Sequence, residues 1–361
     1  MNAKELVKII ENFDIDELEL QRYGNGHIND TFVVKKDGVK MLLQRLNTNV
    51  FKDPEGVMDN IVNVTEYLKK KISASGGDPE RETMTVINAT DGKPYFITES
   101  GLFYRMYKFI DNSLSLEKAQ NTQRMTSFAK TLGKFYHMLE DYPADTLSVA
   151  IPKFHDTRNY YNRLMTAVEK DAVSRKAEVT KELEFVYKHE FLADILNNGL
   201  ADGSIPLRVT HNDTKLNNVL FDANTGEGLC VIDLDTVMPG SVLYDFGDAM
   251  RFGAASGPED EKDLSLIWFD LDMFDAFTKG FAAEMKDTLT KGEVDNLVNS
   301  VKILTYECGM RFLEDYLNGD TYFKIHKPEH NLDRARTQFK LVKDMEAKTE
   351  QMNAIVAKYF N

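Results

Sequence analysis

Cysteine, tryptophan and long apolar runs are all scarce in this 361-residue chain, and each scarcity closes off a class of protein. The two cysteines, Cys230 and Cys308, have no paired spacing. They exclude a disulfide scaffold and a cysteine zinc site, and they read as small buried hydrophobes of a reducing compartment. No run of about 18 apolar residues exists to span a bilayer. The segment Met1 to Ile10 carries charges through its apolar stretch and lacks the core and cleavage site of a signal peptide. A cytoplasmic location is the expectation. Basic residues are outnumbered, 44 against 58 acidic, for a formal charge of −14. Nucleic acid and anionic membrane surfaces are held by clustered Lys and Arg, so neither is expected as a partner. What remains, 42% apolar and 28% charged, is an ordinary soluble composition. The length exceeds that of one hydrophobic core, so two domains are expected.

Alternation dominates the first third. Leu18 to Arg22, Thr31 to Val34 and Val39 to Leu46 read as strands, with Lys36-Asp37-Gly38 a hairpin turn. A helix over about Glu55 to Lys71 follows, with Val57, Ile61, Val64 and Leu68 at helical spacing. Strands then resume at Met84 to Ile87, Tyr95 to Thr98 and Leu102 to Ile110. Beyond Asp111 the periodicity is helical, through Thr122 to Leu139, Asn159 to Val173, Lys181 to Leu196, Leu264 to Met285 and Glu293 to Tyr316, closing with one long helix from about Asn331 to Tyr359. The fold class expected is α+β, with a β-rich domain over residues 1–111 and a mostly helical one over 112–361.

The chemistry concentrates in Val209-Thr210-His211-Asn212-Asp213-Thr214-Lys215-Leu216-Asn217-Asn218. Val219 to Phe221 and Leu229 to Ile232 follow as two short apolar runs around Asn224-Thr225-Gly226, a hairpin composition that ends in Asp233. A hairpin symmetric about that turn would set Asn218 opposite Asp233, with Cα atoms roughly 5 Å apart. An amide oxygen and a carboxylate could then share one Mg²⁺, which takes few protein ligands beside water and phosphates. Asp213, in the loop before the hairpin, suits a base that meets a substrate hydroxyl. Asp213, Lys215 and Asn218 repeat the Asp-x-Lys-x-x-Asn order of the kinase catalytic loop. Asn and Asp are also ordinary turn residues, but the set of His211, Asp213, Asn218 and a strand ending in Asp233 is specific to phosphoryl transfer. Asp245-Phe246-Gly247 matches the letters of the kinase metal motif, yet it lies beyond Pro239-Gly240. The metal is therefore assigned to Asp233, and Asp245 to a structural role anchoring the loop by accepting backbone hydrogen bonds.

His211-x-Asp213-x-x-x-x-Asn218 followed by Ile232-Asp233 resembles the aminoglycoside phosphotransferase superfamily. Tyr23 to Asn29, Arg208 to Gly253 and Glu307 to Leu313 look like the bacterial N-acetylhexosamine 1-kinases, so the likeness spans nearly the whole chain. It implies a bilobal protein-kinase-like fold, with an antiparallel sheet as the amino lobe. It also implies phosphorylation of a free N-acetylglucosamine or N-acetylgalactosamine on its anomeric hydroxyl, with ATP and Mg²⁺ as cofactors. His211 would have a structural role.

Gly24, Gly26 and Asn29 sit between the first two strands, where glycines let the backbone approach a phosphate. A hairpin turn explains the glycines equally, and the downstream loop favours nucleotide contact. Related kinases carry Lys or Arg on the third strand for the α and β phosphates. Here Gln44 holds that place, and Lys215 or Lys40 are the candidates for the missing charge. Adenine would meet the backbone near Tyr107 and Phe109. The resemblance singles out Arg311 and Tyr322 for the sugar, and His27 either caps a turn or reaches that sugar. Glu307, one turn before Arg311, either orients the guanidinium or forms an i,i+4 pair with it. Two other readings are a kinase of the same fold for choline, homoserine or an aminoglycoside, and a catalytically inactive nucleotide-binding regulator. Assembly is not encoded visibly, and a monomer is the default.

Overall fold

The computed structural model describes residues 3–24 and 28–361. It forms two compact units, the first comprising residues 1–115, 143–152 and 219–239, and the second 116–142, 153–218 and 240–361. The fold is α+β and protein-kinase-like, an antiparallel sheet followed by a mostly helical carboxy-terminal part.

The first unit opens with α1 (Ala3–Phe13), then β1 (Glu17–Arg22), β2 (Asp30–Lys36), β3 (Val39–Leu46), α2 (Pro54–Ala74), α3 (Pro79–Glu82), β4 (Val86–Ile87), β5 (Phe96–Ile97), β6 (Phe103–Lys108) and β7 (Ser113–Ser115). The main sheet runs β1-β2-β3-β6-β4, with β5 also paired to β6. Asp37 and Gly38 turn between β2 and β3 with φ of 53° and 73°, the paired positive angles of a type I′ hairpin. Alternation along the strands gives the sheet two different faces. Tyr104 and Met106 join Met41, Leu43 and Val34 in a core with Ile9 and Phe13 of α1. Phe103, Arg105 and Tyr107 therefore point the other way, and all five residues of this run are buried. On that side Met58 of α2 lies against Arg105. The α2 helix starts at Asp53, whose carboxylate accepts from Gly56 N at 3.0 Å, with Pro54 in the first turn.

The later segments of this unit include β9 (Val219–Asp222) and β10 (Gly228–Val231), which form a three-stranded sheet with β7. Asn60 of α2 holds both excursions in place, donating to Ser148 O at 2.7 Å and to Val237 O at 2.8 Å.

In the second unit are α4 (Thr122–Met138), α5 (Thr157–Lys170), α6 (Thr180–Lys188), α7 (Leu192–Asp202), β8 (Arg208–Thr210), α8 (Val242–Gly253), α9 (Leu271–Met285), α10 (Lys291–Leu317), α11 (His330–Ala347) and α12 (Thr349–Phe360). The 27-residue α10 starts from a capping box, Thr290 with Glu293, and packs against α5, α7, α8, α11 and α12. Gly247 of α8 allows close approach there, because a Cβ would lie 2.5 Å from Ser300 O.

Four expectations fail locally, and the first is the helix expected over Leu264 to Met285, which starts only at Leu271, where Asp270 caps it. The helix expected over Lys181 to Leu196 is two, and the one expected over Asn331 to Tyr359 breaks at Lys348. Lys348 Nζ is drawn to Asp344 at 2.6 Å and to Phe269 O at 2.8 Å. Asp245-Phe246-Gly247 lies inside α8, a helix the apolar spacing did not reveal and which Ser241 caps at Leu243 N. Among the described residues no helix is long and apolar enough to cross a membrane.

Candidate active site

The loop after β8 is held from behind by one carboxylate. Asp245 is 1% exposed, and its oxygens accept from His211 N at 2.8 Å, Asn212 N at 2.6 Å and Tyr136 Oη at 2.8 Å. Its own carbonyl accepts from Thr214 Oγ1 at 2.7 Å. Burial pushes the carboxyl above its usual range, working against the charge and donors gathered around it. Asn212 takes the left-handed φ of 67°, which Asn tolerates better than most residues. Its amide is fixed on Thr210 Oγ1 at 2.9 Å. A Cβ at Gly240 would stand 2.5 Å from that hydroxyl, which explains the glycine there.

Asp213 projects from this anchored backbone, with its side chain 27% exposed. Lys215 Nζ stands 2.6 Å from Oδ1, and Asn218 Nδ2 donates to Oδ2 at 3.1 Å and to the Asp213 carbonyl at 2.8 Å. Burial disfavours the lysine's charge, but pairing with Asp213 more than offsets this and raises its pKa. The Asn218 nitrogen faces Asp213, so its Oδ1 remains as the acceptor end of the amide. The structure thus brings His211, Asp213, Lys215, Asn218 and Asp245 together within the second unit. His211 Nδ1 accepts from Asp213 N at 3.2 Å, inside the loop.

The hairpin is not symmetric. Val219 pairs with Val231 and Leu220 with Cys230, and the register then shifts by one before Phe221 meets Gly228. Asn218 lies just before the ladder in a one-turn 3₁₀ helix. Asp233 has left the ladder and adopts a φ of 61°. The symmetric pairing expected from the turn is replaced by a bulge that extends the second strand by one residue, and Asp233 owes its direction to left-handed backbone.

Within the first unit, Gln44 of β3 does not stand alone. Directly opposite it on β6 is Arg105, whose Nε and Nη2 donate to Gln44 Oε1 at 3.1 and 2.9 Å. Gln44 Nε2 donates in turn to Thr31 Oγ1 at 3.0 Å. The Arg105 guanidinium, 1% exposed, is ion-paired with Asp235 at 2.6 Å. Asn29 Nδ2 donates to the other Asp235 oxygen at 2.7 Å, and Asn29 Oδ1 accepts from Asn47 N at 3.0 Å. Burial disfavours the arginine's charge, and Asp235 and the nearby Asp233 raise its pKa regardless. Asp235 is thereby committed to Arg105 and Asn29. The sequence reading passed over Arg105, although a charge inside Phe103-Tyr104-Arg105-Met106-Tyr107 was a signal of a buried pair.

Gly24, at φ 76°, begins the loop after β1, and Gly26 and His27 fall outside the described residues. Phe109 meets the Tyr23 ring edge-on at 5.8 Å, with Lys40 Nζ 5.6 Å from its centroid. The amides of Lys108 and Phe109 are already taken, by Thr85 O and Lys40 O, which removes two of the backbone donors expected for adenine. Among the described residues Tyr107 Oη is buried without a hydrogen-bond partner.

In the second unit, Arg311 of α10 faces three aromatic rings, with centroids at 5.1 Å for Tyr160, 5.8 Å for Phe323 and 5.9 Å for Phe154. Among the described residues it forms no hydrogen bond or ion pair. Glu307 does not orient it: that carboxylate accepts from Thr157 Oγ1 at 2.7 Å and faces His155 Nδ1 at 2.9 Å, a buried partner that sequence reasoning missed. Tyr322 is 72% exposed, with its backbone amide tied to Asp315 at 2.8 Å.

The model of the APH phosphotransferase enzyme family matches residues 19–275. The chain belongs to the APH family. Its fold is shared with the microcompartment-associated aminopropanol kinase, at 13% identity and a TM-score of 0.63 over 98% of this chain and 99% of that one. An aminoglycoside phosphotransferase from Alicyclobacillus acidocaldarius has the same score and identity over 95% and 94%. A spectinomycin phosphotransferase solved with ADP and spectinomycin is 13% identical, at a TM-score of 0.58 over 97% and 99%. As a member of the APH family the protein is a phosphotransferase, and its relatives in fold include small-molecule kinases.

Proposed function

We propose that the protein transfers the terminal phosphoryl group of ATP to the anomeric hydroxyl of an N-acetylhexosamine. The observation that carries the acceptor class is Arg311. One helical turn, about 5.4 Å, separates it from Glu307, and Glu307 reaches the catalytic loop through His155 and the Asn212 carbonyl. The guanidinium stands one helical turn from that chain of contacts, with its donors uncommitted among the described residues. Phe154, Tyr160 and Phe323 are the kind of rings that would cage the cationic group of choline or an aminoalcohol. Arg311 already fills that frame, so a cationic acceptor would be repelled. A neutral ligand rich in hydroxyl and carbonyl oxygens would satisfy it. The likeness of the segment from Glu307 to Leu313 to the hexosamine kinases narrows that class to N-acetylhexosamines.

Asp213 would accept the hydrogen bond of the acceptor hydroxyl, orient it and take its proton as the bond to phosphorus forms. Lys215 and Asn218 hold the carboxylate from two sides. Lys215 would also supply a positive charge to a phosphate of the nucleotide. Asn218 and Asp233 are the metal ligands in this reading. The donor set fits, since the Asn218 nitrogen is spent on Asp213, leaving an amide oxygen, and Asp233 supplies a carboxylate. A bound Mg²⁺ would neutralise charge on the transferring group. Gly24, Gly26 and Asn29 would line the phosphates, with Tyr107 and Phe109 on the adenine side. Gln44 would contribute to the nucleotide site through its hold on Arg105.

The test is ATP depletion across N-acetylglucosamine, N-acetylgalactosamine, choline, homoserine, aminopropanol and kanamycin, with phosphorus-coupled NMR of the product. A hexosamine 1-phosphate is expected. A 6-phosphate, or turnover confined to an aminoalcohol or aminoglycoside, would sink the reading.

A further inference from the structure

We propose that His155 is a positioning residue of the phosphotransfer site, held as a doubly protonated imidazolium that clamps the peptide preceding Asp213. The inference rests on reading Asp213 as the residue that orients the acceptor hydroxyl.

His155 is 4% exposed and lies in a tight segment in which both Lys153 and His155 have left-handed φ, 59° and 57°. Neither is glycine, so the surroundings must hold the segment in shape. Both ring nitrogens face acceptors. Nδ1 is 2.9 Å from Glu307 Oε1, and Nε2 is 3.1 Å from the Asn212 carbonyl. A backbone carbonyl has no proton to offer. The Glu307 carboxylate already accepts the Thr157 hydroxyl, as an ionised group does. A neutral imidazole would leave one of these two contacts without a hydrogen, so the geometry demands a proton on each nitrogen.

The charged groups around the ring agree. Glu307 faces it from α10 and Asp248 from α8, where Asp248 is itself paired with Arg251 at 2.8 Å. The rings of Phe154 and Tyr244 lie at 4.4 and 5.2 Å. Burial works against the charge, and Glu307 and Asp248 more than offset it, raising the histidine's pKa above its ordinary value.

The consequence follows from which carbonyl is held. Asn212 is in left-handed backbone, its N–H is caught by Asp245, and its C=O is caught by His155. The peptide joining Asn212 to Asp213 is therefore held at its carbonyl by His155 and at its N–H by His211 Nδ1, while Asp245 holds the peptide before it. Release of the carbonyl would let that peptide rotate and swing Asp213, and misplacement by about 1 Å can cost on the order of 100-fold in rate. Because Glu307 and Arg311 share one helix, the same imidazolium links the acceptor-facing arginine to the catalytic loop.

Two measurements decide the matter. In protein labelled with ¹⁵N-histidine, the His155 ring should show both nitrogens protonated at neutral pH and titrate above about 6.5, the ordinary value. A neutral ring from pH 6 to 8 would overturn the proposal with no assay of activity. In kinetics, His155→Gln retains one donor and should lower kcat by about 10 to 100-fold, with the KM for ATP within about twofold of wild type. It should also lose the fall in kcat that deprotonation of His155 gives wild-type enzyme at high pH. A folded His155→Gln enzyme with wild-type kcat and an unchanged alkaline limb would refute the positioning role. If His155→Gln does not fold, Glu307→Gln serves, since it removes the counter-charge and should shift the alkaline limb to lower pH; an unmoved limb would again refute the role. Full activity in Asp213→Asn would instead remove the reading of Asp213 on which the proposal rests.

Discussion

Replacement of Asp245 by Asn preserves size and shape and changes one donor–acceptor pattern at the back of the loop from His211 to Asn218. In the native protein Oδ2 accepts both Tyr136 Oη and His211 N, and Oδ1 accepts Asn212 N. An amide offers one oxygen, so in either orientation its NH₂ must confront at least one backbone N–H. The loss includes one charge-assisted hydrogen bond, worth about 1.5 to 3 kcal/mol, and one buried donor left without a partner, at about 1 to 3 kcal/mol. Some relaxation is expected, so about 3 kcal/mol is a reasonable central value. That is a large share of the roughly 5 to 15 kcal/mol that keeps a protein folded. At about 2 to 4 °C per kcal/mol for a unit of this size, Asp245→Asn should melt about 10 °C below wild type. Turnover should fall as well, because a peptide flanking His211, just ahead of Asp213, loses its N–H anchor. Scanning calorimetry of wild type, Asp245→Asn and Asp213→Asn in parallel separates structure from chemistry, since Asp213 is partly exposed and its variant should melt near wild type. A melting temperature for Asp245→Asn within about 2 °C of wild type would refute the anchoring argument.

Three further outcomes are expected. Asp213→Asn should lose about 10² to 10⁴-fold in kcat while MgATP affinity stays near wild type by calorimetric titration; more than about a tenth of native activity would contradict its role. Asp233→Ala should remain folded and weaken nucleotide binding only when Mg²⁺ is present, and equal weakening in EDTA would move the metal assignment elsewhere. Arg105→Met leaves Asp235 buried without its counter-charge and should cost about 3 to 5 kcal/mol. Adding Asp235→Asn should recover part of that loss in urea titrations, and strictly additive losses would show that the pair is not coupled.

Local spacing was enough to read the loop from His211 to Asn218, because the residues that do related work there lie within one turn of chain. The strand β3 and the helix α2 were legible for a similar reason, as their periods repeat over several residues. The sequence also showed that β3 carries Gln44 where a cation was expected. It could not show that Arg105, one strand across in the sheet, supplies a buried guanidinium against Asp235, because strand pairing brings Arg105 to Gln44 and only tertiary packing brings Asp235 to that arginine. Helix ends such as Lys348 were hidden too, since no Pro or Gly marks the break there. Asp233 illustrates the limit within a single motif. Its place after a strand could be read from the residues, while its left-handed backbone and the one-residue bulge before it were decided by the ladder. His155 and Glu307 lie 152 positions apart, and no periodicity links them to each other or to Asn212. Composition and period therefore determined most of the elements and marked the loop from His211 to Asn218 as the candidate for chemistry. Tertiary packing alone decided which buried charges meet, because only the folded chain excludes water from such a pair and makes the meeting energetically decisive.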